Sequence, residues 1–299
     1  MFSGMLYIFL PLVIGYLIPV KKDSVIEFIN TQTSRLVLVI LGLMGLSLAG
    51  LDNLGQNLSQ ILTYTTVFFL TISGCNLLAL PVIDKLWSIE TSQDHHRLPF
   101  GKMILESVKL VFVVAGGLLV GLLSGIELGW VDQASEIILL LLLFLIGIQL
   151  RNSGMTLRQI LLNKKGMTIA LVIVLTSLPG GVIAAAILGI PVTHGLAMAS
   201  GFGWYSLAGI LMGDGLGPIF GGAAFLNELL RELVALTLIP IMISRYPSTA
   251  IGYAGATAMD FTLPVIQNSG GIRCVPIAIV SGFILSLLVP FLMLFFLSL

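Results

Sequence analysis

Long apolar runs parted by short polar connectors make up most of the chain. A membrane-spanning helix needs about 20 largely apolar residues. Six segments approach or meet that before residue 190: 3–20, 36–51, 61–83, 104–124, 135–150 and 167–189. The pattern then changes. Gly195, Gly201, Gly203, Gly209, Gly213, Gly215 and Gly217 crowd one stretch ahead of Pro218, too many for a plain lipid-facing helix. A long apolar run follows over 219–243. The weakly apolar stretch 248–271 is interrupted by Pro264 and Gly270-Gly271, and a last run covers 274–298.

The connectors sort by charge. Residues 21–35 hold Lys21, Lys22 and Arg35, residues 84–109 hold Lys85, Arg97, Lys102 and Lys109, and residues 151–166 hold Arg151, Arg158, Lys164 and Lys165. Connectors 52–60, 125–134 and 190–194 hold no Lys or Arg. Eleven of the 14 basic residues therefore lie on alternate connectors, which the positive-inside rule makes cytoplasmic, with the N-terminus outside. Arg245 and Arg273 flank 248–271. If both are cytoplasmic, that stretch dips into the membrane and returns, and 195–217 does so from outside. The sequence thus predicts an all-α polytopic membrane protein, N-out and C-out, with about eight transmembrane helices plus two re-entrant or discontinuous segments. Ten crossing spans, with Arg245 outside, is the alternative. Irregular backbone at membrane depth survives only where protein or a watery cavity satisfies it, which favours eight plus two.

An internal echo points the same way. Leu43-Met44-Gly45-Leu46-Ser47-Leu48, followed by Leu58-Ser59-Gln60-Ile61-Leu62, resembles Leu145-Ile146-Gly147-Ile148-Gln149-Leu150, followed by Leu157-Arg158-Gln159-Ile160-Leu161. Repeated units of three spans, 1–3 and 4–6, have opposite orientations, the inverted-repeat plan of secondary transporters. By chain position, residues 1–100 form an N-terminal three-span unit and 101–299 a C-terminal unit carrying the transport site.

Composition narrows the class. The chain is 57% hydrophobic and 9% charged, against about 25% charged in soluble domains; its mean hydropathy is +1.09. Lys plus Arg equals Asp plus Glu at 14 each, so no basic footprint points to nucleic acid. Residues 1–20 lack a basic n-region and a small-residue cleavage site, and read as the first span. Cys75 and Cys274 offer neither a disulfide framework nor metal spacing. No phosphate loop, zinc signature or nucleotide fingerprint implies a cofactor or ATP-driven pumping.

The candidate chemistry is four carboxylates between residues 195 and 271: Asp214, Glu228, Glu232 and Asp260. Each charge at membrane depth costs about 2.5–3.5 kcal/mol on insertion scales, so such groups are functional by default. Glu228 and Arg231, three apart on one helix, are expected to pair as a structural couple. That leaves Glu232 for binding or protonation. Asp260 lies four residues before Pro264, whose ring clashes with the carbonyl of residue i−4, so a helix is expected to open there. Asp214, between glycines, is either a pathway group or a turn residue. Asn227, Gln267, Asn268 and Thr257 could supply polar contacts. Gly201 and Gly203 mark the glycine-rich break, and Trp204 and Tyr205 form a gate or, preferably, an interface anchor. His194 could sense pH, His95-His96 reads as solvated surface, and Pro179-Gly180-Gly181 as a kink or close-packing point. An intramembrane aspartyl protease needs two close carboxylates. Leu211-Met212-Gly213-Asp214 lacks the Gly-x-Gly-Asp pattern, and Met259 stands before Asp260 where tyrosine is expected.

Three strings carry a family resemblance: Leu143-Phe144-Leu145-Ile146-Gly147-Ile148-Gln149-Leu150-Arg151-Asn152-Ser153-Gly154-Met155-Thr156-Leu157, then Ala197-Met198-Ala199-Ser200-Gly201-Phe202-Gly203-Trp204-Tyr205-Ser206-Leu207, and Met259-Asp260-Phe261-Thr262-Leu263-Pro264-Val265. The chain resembles the bacterial lysine exporter family typified by LysO over essentially its whole length, most densely from about residue 135 onward. The resemblance implies an inner-membrane exporter of L-lysine and thialysine, not an enzyme. The family's two functional intramembrane acids fall on Glu232 and Asp260. Lysine carries a net charge of +1, and moving it outward costs about 2.3 kcal/mol per 100 mV. A coupling ion is therefore needed, and lysine/proton antiport is the hypothesis. A half-helix N-terminus near Gly255–Thr257 or Ser200–Gly203 would receive the substrate carboxylate. A passive channel, or an exporter of another cationic amino acid, is the alternative. The expected partners are L-lysine and membrane lipid; a homodimer is left open.

Overall fold

A computed structural model describes residues 10–20, 22–50, 54–87, 89–91, 100–124, 129–152 and 163–299. In hydrocarbon the backbone must satisfy its own N–H and C=O groups, and the apolar runs do so as helices. No strand occurs among the described residues. The helices are α1 (10–16), α2 (Asp23–Ala49), α3 (Leu54–Leu86), α4 (Phe100–Ser124), α5 (Val131–Arg151), α6 (Lys164–Leu188), α7 (Val192–Met198), α8 (Tyr205–Leu216), α9 (Pro218–Met242), α10 (Pro247–Ala254), α11 (Leu263–Gly270) and α12 (Val275–Leu297). Four segments, Asp23–Ala49, Gly55–Leu86, Lys164–Leu188 and Ile272–Leu297, are long and apolar enough to cross a membrane. The chain is a membrane protein. α9 has 25 residues but carries Glu228, Arg231 and Glu232 along its length.

Several helices overrun their apolar segments. α2 starts at Asp23, so most of the basic connector 21–35 is helix rather than loop. Helical hydrogen bonding does not stop where hydropathy does, and an acid in the first turn suits the helix dipole. The echo over 157–161 and His95-His96 lie outside the described residues.

The helices pack as two groups. In the first, Gly45 of α2 admits the backbone of α4, and Gly147 of α5 admits that of α1. A Cβ on Gly147 would lie 2.2 Å from the Leu12 carbonyl oxygen, and one on Gly45 2.1 Å from that of Val114. The echoed Leu-x-Gly strings thus play equivalent parts. In the second group α3, α6, α9 and α12 hold the short helices, with α3 packed along α6 and α8 along α9. Gly180 and Gly181 are close-packing points there, against Ile72 and Gly195. The grouping cuts across a division at residue 100: α3 joins the second group, and α4 and α5 the first. Between the groups, Leu41 and Met44 of α2 meet Phe225 and Leu229 of α9.

Two interrupted helix pairs enter the second group from opposite ends. α7 and α8 form one pair. His194 at the start of α7 stacks edge-on against Phe220 at the start of α9, with ring centroids 5.5 Å apart. α8 ends at Gly217, next to the same end of α9. α10 and α11 form the other. Asp84 near the C-terminal end of α3 holds the start of α10, Gly270 lies against Ile243 beyond α9, and Arg273 pairs with Glu90. The two tips meet: Ala256 donates its backbone N–H to the Phe202 carbonyl at 2.8 Å.

The break at Asp260 is present, but Pro264 does not cause it. Pro264 lies in the first turn of α11, where a missing N–H costs nothing. The interruption is the 3₁₀ turn Gly255–Met259, after which Asp260 adopts φ −137° and ψ −86°.

Gly255 has φ 67°, and a Cβ there would lie 2.1 Å from the Phe202 carbonyl oxygen. Gly255→Ala should therefore cost at least about 1–3 kcal/mol of strain. We expect its melting midpoint in detergent to fall by about 4 °C or more. Gly74→Ala, with nothing within 4 Å of its Cβ, should melt at or above the parent. Equal midpoints would mean that the tip contact contributes no stability.

Candidate functional site

The first tip is built on Gly201-Phe202-Gly203. Phe202 has φ 46° and Gly203 φ 97°, left-handed backbone that persists in a non-glycine residue only where its surroundings over-determine it. Glu228 supplies part of that constraint. Its carboxylate accepts the Gly203 N–H and, at 2.8 Å, the Asn227 side-chain amide. Gly201 is needed because a Cβ there would strike the Glu228 side chain.

One turn along α9, Arg231 serves the second tip. Its Nε donates to the Tyr253 carbonyl at 3.0 Å and its terminal nitrogen to the Gly252 carbonyl at 3.3 Å, and its guanidinium lies over the Tyr253 ring. Glu228 and Arg231 are a structural pair by charge, as expected, but their hydrogen bonds are not made to each other. The charges are neighbours, but each directs its hydrogen bonds to a different hairpin. Buried turns and helix ends leave N–H and C=O groups that need partners, and a charged side chain is the strongest available. Asp84 does the same at the far end of α10, accepting the N–H groups of Ser248 at 2.7 Å and Thr249 at 3.0 Å, and the Thr249 hydroxyl at 2.6 Å.

A cavity of about 470 Å³ lies between the two helix groups, beside these tips. Glu232 and Asp260 both line it: Glu232 is 1% exposed, whereas Asp260 is exposed. Thr257 and Ser286 line it too. So do Gly203, Trp204 and Tyr205, which corrects the reading of the aromatic pair as interface anchors. α8 begins here without a side-chain cap, and Tyr205, Ser206 and Leu207 of its first turn face the cavity. The first N–H groups of a helix and its dipole favour an anion. Of the two places expected for a half-helix N-terminus, the one near Ser200–Gly203 is present as the start of α8 at Tyr205, whereas α10 ends at Ala254, just before Gly255–Thr257. Gly201, Asn227, Glu228, Arg231 and Pro264 do not line the cavity.

Asp214 lines a second cavity at the other end of the bundle, so it forms no dyad with Asp260. Among the described residues no group of three or more His, Cys, Asp and Glu side chains could hold a metal ion, and Cys75 and Cys274 are free thiols. Sequence reasoning missed Thr33, Ser34, Lys109 and Gln149 at one end of the first cavity. Polar residues inside or at the edge of apolar helices were their only signal. It also missed Asp84, whose signal was Pro247-Ser248-Thr249 opening a helix.

Removing one member of a buried charge set strands the other. Arg231→Met should lower stability by about 3–5 kcal/mol. Adding Glu228→Gln should recover part of that loss, because the remaining buried charge is removed. Thermal unfolding in detergent checks both; independent, additive losses would mean the two side chains act separately.

Residues 110–297 match the family described as lysine exporter LysO. The chain is 52% identical over 297 residues to the lysine exporter LysO of Escherichia coli (strain K12), covering 99% of both chains. A relative from Haemophilus influenzae is 47% identical over 189 residues, 60% of this chain and 97% of its own. No solved structure matches. The full-length identity and the family match agree, and the chain belongs to the lysine exporter LysO family, whose members are transporters rather than enzymes.

Proposed function

We propose that this protein exports L-lysine, and with it thialysine, across the bacterial inner membrane in exchange for protons. The observation that carries the reading is the shared cavity. Two carboxylates, Glu232 and Asp260, line it together with the uncapped N-terminus of α8. Lysine offers two ammonium groups and one carboxylate, the complement of that set. The carboxylates hold either the ammonium groups or protons, and that alternative is the basis of exchange. Arg231 is turned away to Gly252 and Tyr253, and so does not compete for the two acids through those contacts.

The membrane orientation in this proposal is eight spans with two re-entrant pairs, N-out and C-out. It is supported by the ends at which the pairs start and return, and by the basic connectors at one end only. The equivalent packing of Gly45 and Gly147 supports an inverted repeat of spans 1–3 and 4–6. With Lys109 and Gln149 near the basic end, the first cavity is the cytoplasmic, loading one, and Asp214 lies toward the outside.

The test is counterflow of labelled lysine in proteoliposomes with an imposed pH gradient. Glu232→Gln and Asp260→Asn should each reduce uptake by about 100-fold, the equivalent of ~2.8 kcal/mol, within the range for a charged group losing its partner. Insertion should stay at the parental level. Parental counterflow from either variant removes that residue from the site, and transport indifferent to the pH gradient removes the proton.

A further inference from the structure

The cytoplasmic cavity stops less than one helical turn short of the outer cavity, which measures about 600 Å³. Helices α2, α5 and α8 each line both with several residues, and α9 adds Glu232 to one and Pro218 to the other. Val37 of α2, Leu142 of α5 and Leu207 of α8 face the cytoplasmic cavity, and Ile40, Leu139 and Ile210 face the outer one. Each pair is three residues apart, close to one turn. An apolar septum at most one turn thick therefore divides two spaces along a single line. Five of its six members, Ile40, Leu139, Leu142, Leu207 and Ile210, are buried.

The outer cavity is built for a polar visitor. Asp214 is exposed and lines it, Ser47 and Ser135 add hydroxyls, and Gly213 and Gly217 leave backbone uncovered. It reaches Gly50 and Gly129, at joints of the end without basic connectors. Its volume falls within the usual range for small-molecule sites. A cation leaving two acids needs a weaker stop before release, because a path conducts only if each site is loose enough to leave. One exposed carboxylate provides that, since exposed ion pairs contribute only about 0–1 kcal/mol.

On the reading of the chain as a lysine exporter, we propose that the outer cavity is a second, low-affinity exit site for the exported cation. The Asp214 carboxylate takes a primary ammonium group there once the Val37–Leu142–Leu207 septum has opened.

The test uses the full chain with Cys75 and Cys274 changed to Ser and Ser47→Cys added in the outer cavity. In cells with a permeabilised outer membrane, a membrane-impermeant thiol reagent should label this cysteine. External L-lysine at millimolar concentration should slow labelling by about 3-fold, and leucine should not. Asp214→Asn should abolish the protection without changing the unprotected labelling rate, which also reports that the variant is folded. Asp214→Glu should retain the protection. Absence of labelling, absence of protection by lysine, or equal protection in Asp214→Asn would each overturn the exit site. Counterflow of labelled lysine by the same cysteine variant separates the two readings. If it is absent in both this variant and the parent, lysine export itself fails; if it is present without protection, only the outer site fails.

Discussion

The hydrogen bond from Ala256 to the Phe202 carbonyl joins the ends of two interrupted helices deep in an apolar bundle. Such a junction leaves backbone groups with no helical partner, and each unsatisfied one costs about 1–3 kcal/mol. The arrangement stands because α9 brings opposite charges to the junction one turn apart. Glu228 takes an N–H from the first tip, and Arg231 gives hydrogen bonds to carbonyls beside the second. Burying either charge alone would be unfavourable; together they offset one another while holding both hairpins. Glu232, the next residue on α9, and Asp260, just past the second tip, owe their positions to the same junction.

Much of this was legible in the sequence, for reasons that differ by residue. The all-helical build and its four long apolar helices follow from hydropathy, and the alternating Lys and Arg residues sort the connectors into two kinds. Gly201 and Gly203 announce irregular backbone because so dense a glycine pattern serves a lipid-facing helix poorly. Glu232 and Asp260 stand out because acids in apolar runs are costly. What was not legible depends on contacts distant in sequence. Glu228 and Arg231 satisfy the local rule for a helical pair, yet Gly203 and Tyr253, 25 and 22 residues away, take their hydrogen bonds. Pro264 suggested a break by its chemistry, but a proline starts a helix as readily as it ends one. Only the backbone distinguishes the two cases. Trp204 and Tyr205 could not be placed at a cavity before α2 and α5 were known to face them.

The division into two packing groups gives this site its mechanical character. Glu232 and Asp260 both belong to the second group, fixed to each other through α9 and the joined tips. Thr33, Ser34, Lys109 and Gln149, on the other wall, belong to the first. The surface between the groups includes Leu41 and Met44 against Phe225 and Leu229, apolar side chains with no hydrogen bonds to break when they slide. The tips, by contrast, are held by directional bonds to buried charges. Motion of one group against the other therefore costs less than motion of one hairpin against its neighbour. A site whose acids move together keeps its geometry while the wall opposite changes, and that wall carries Val37 and Leu142 of the septum. On the proposed export cycle, access would change by shifting the septum rather than by rebuilding the carboxylate pair, because hydrogen bonds to buried charges hold the tips while apolar contact makes up the surface between Leu41, Met44, Phe225 and Leu229.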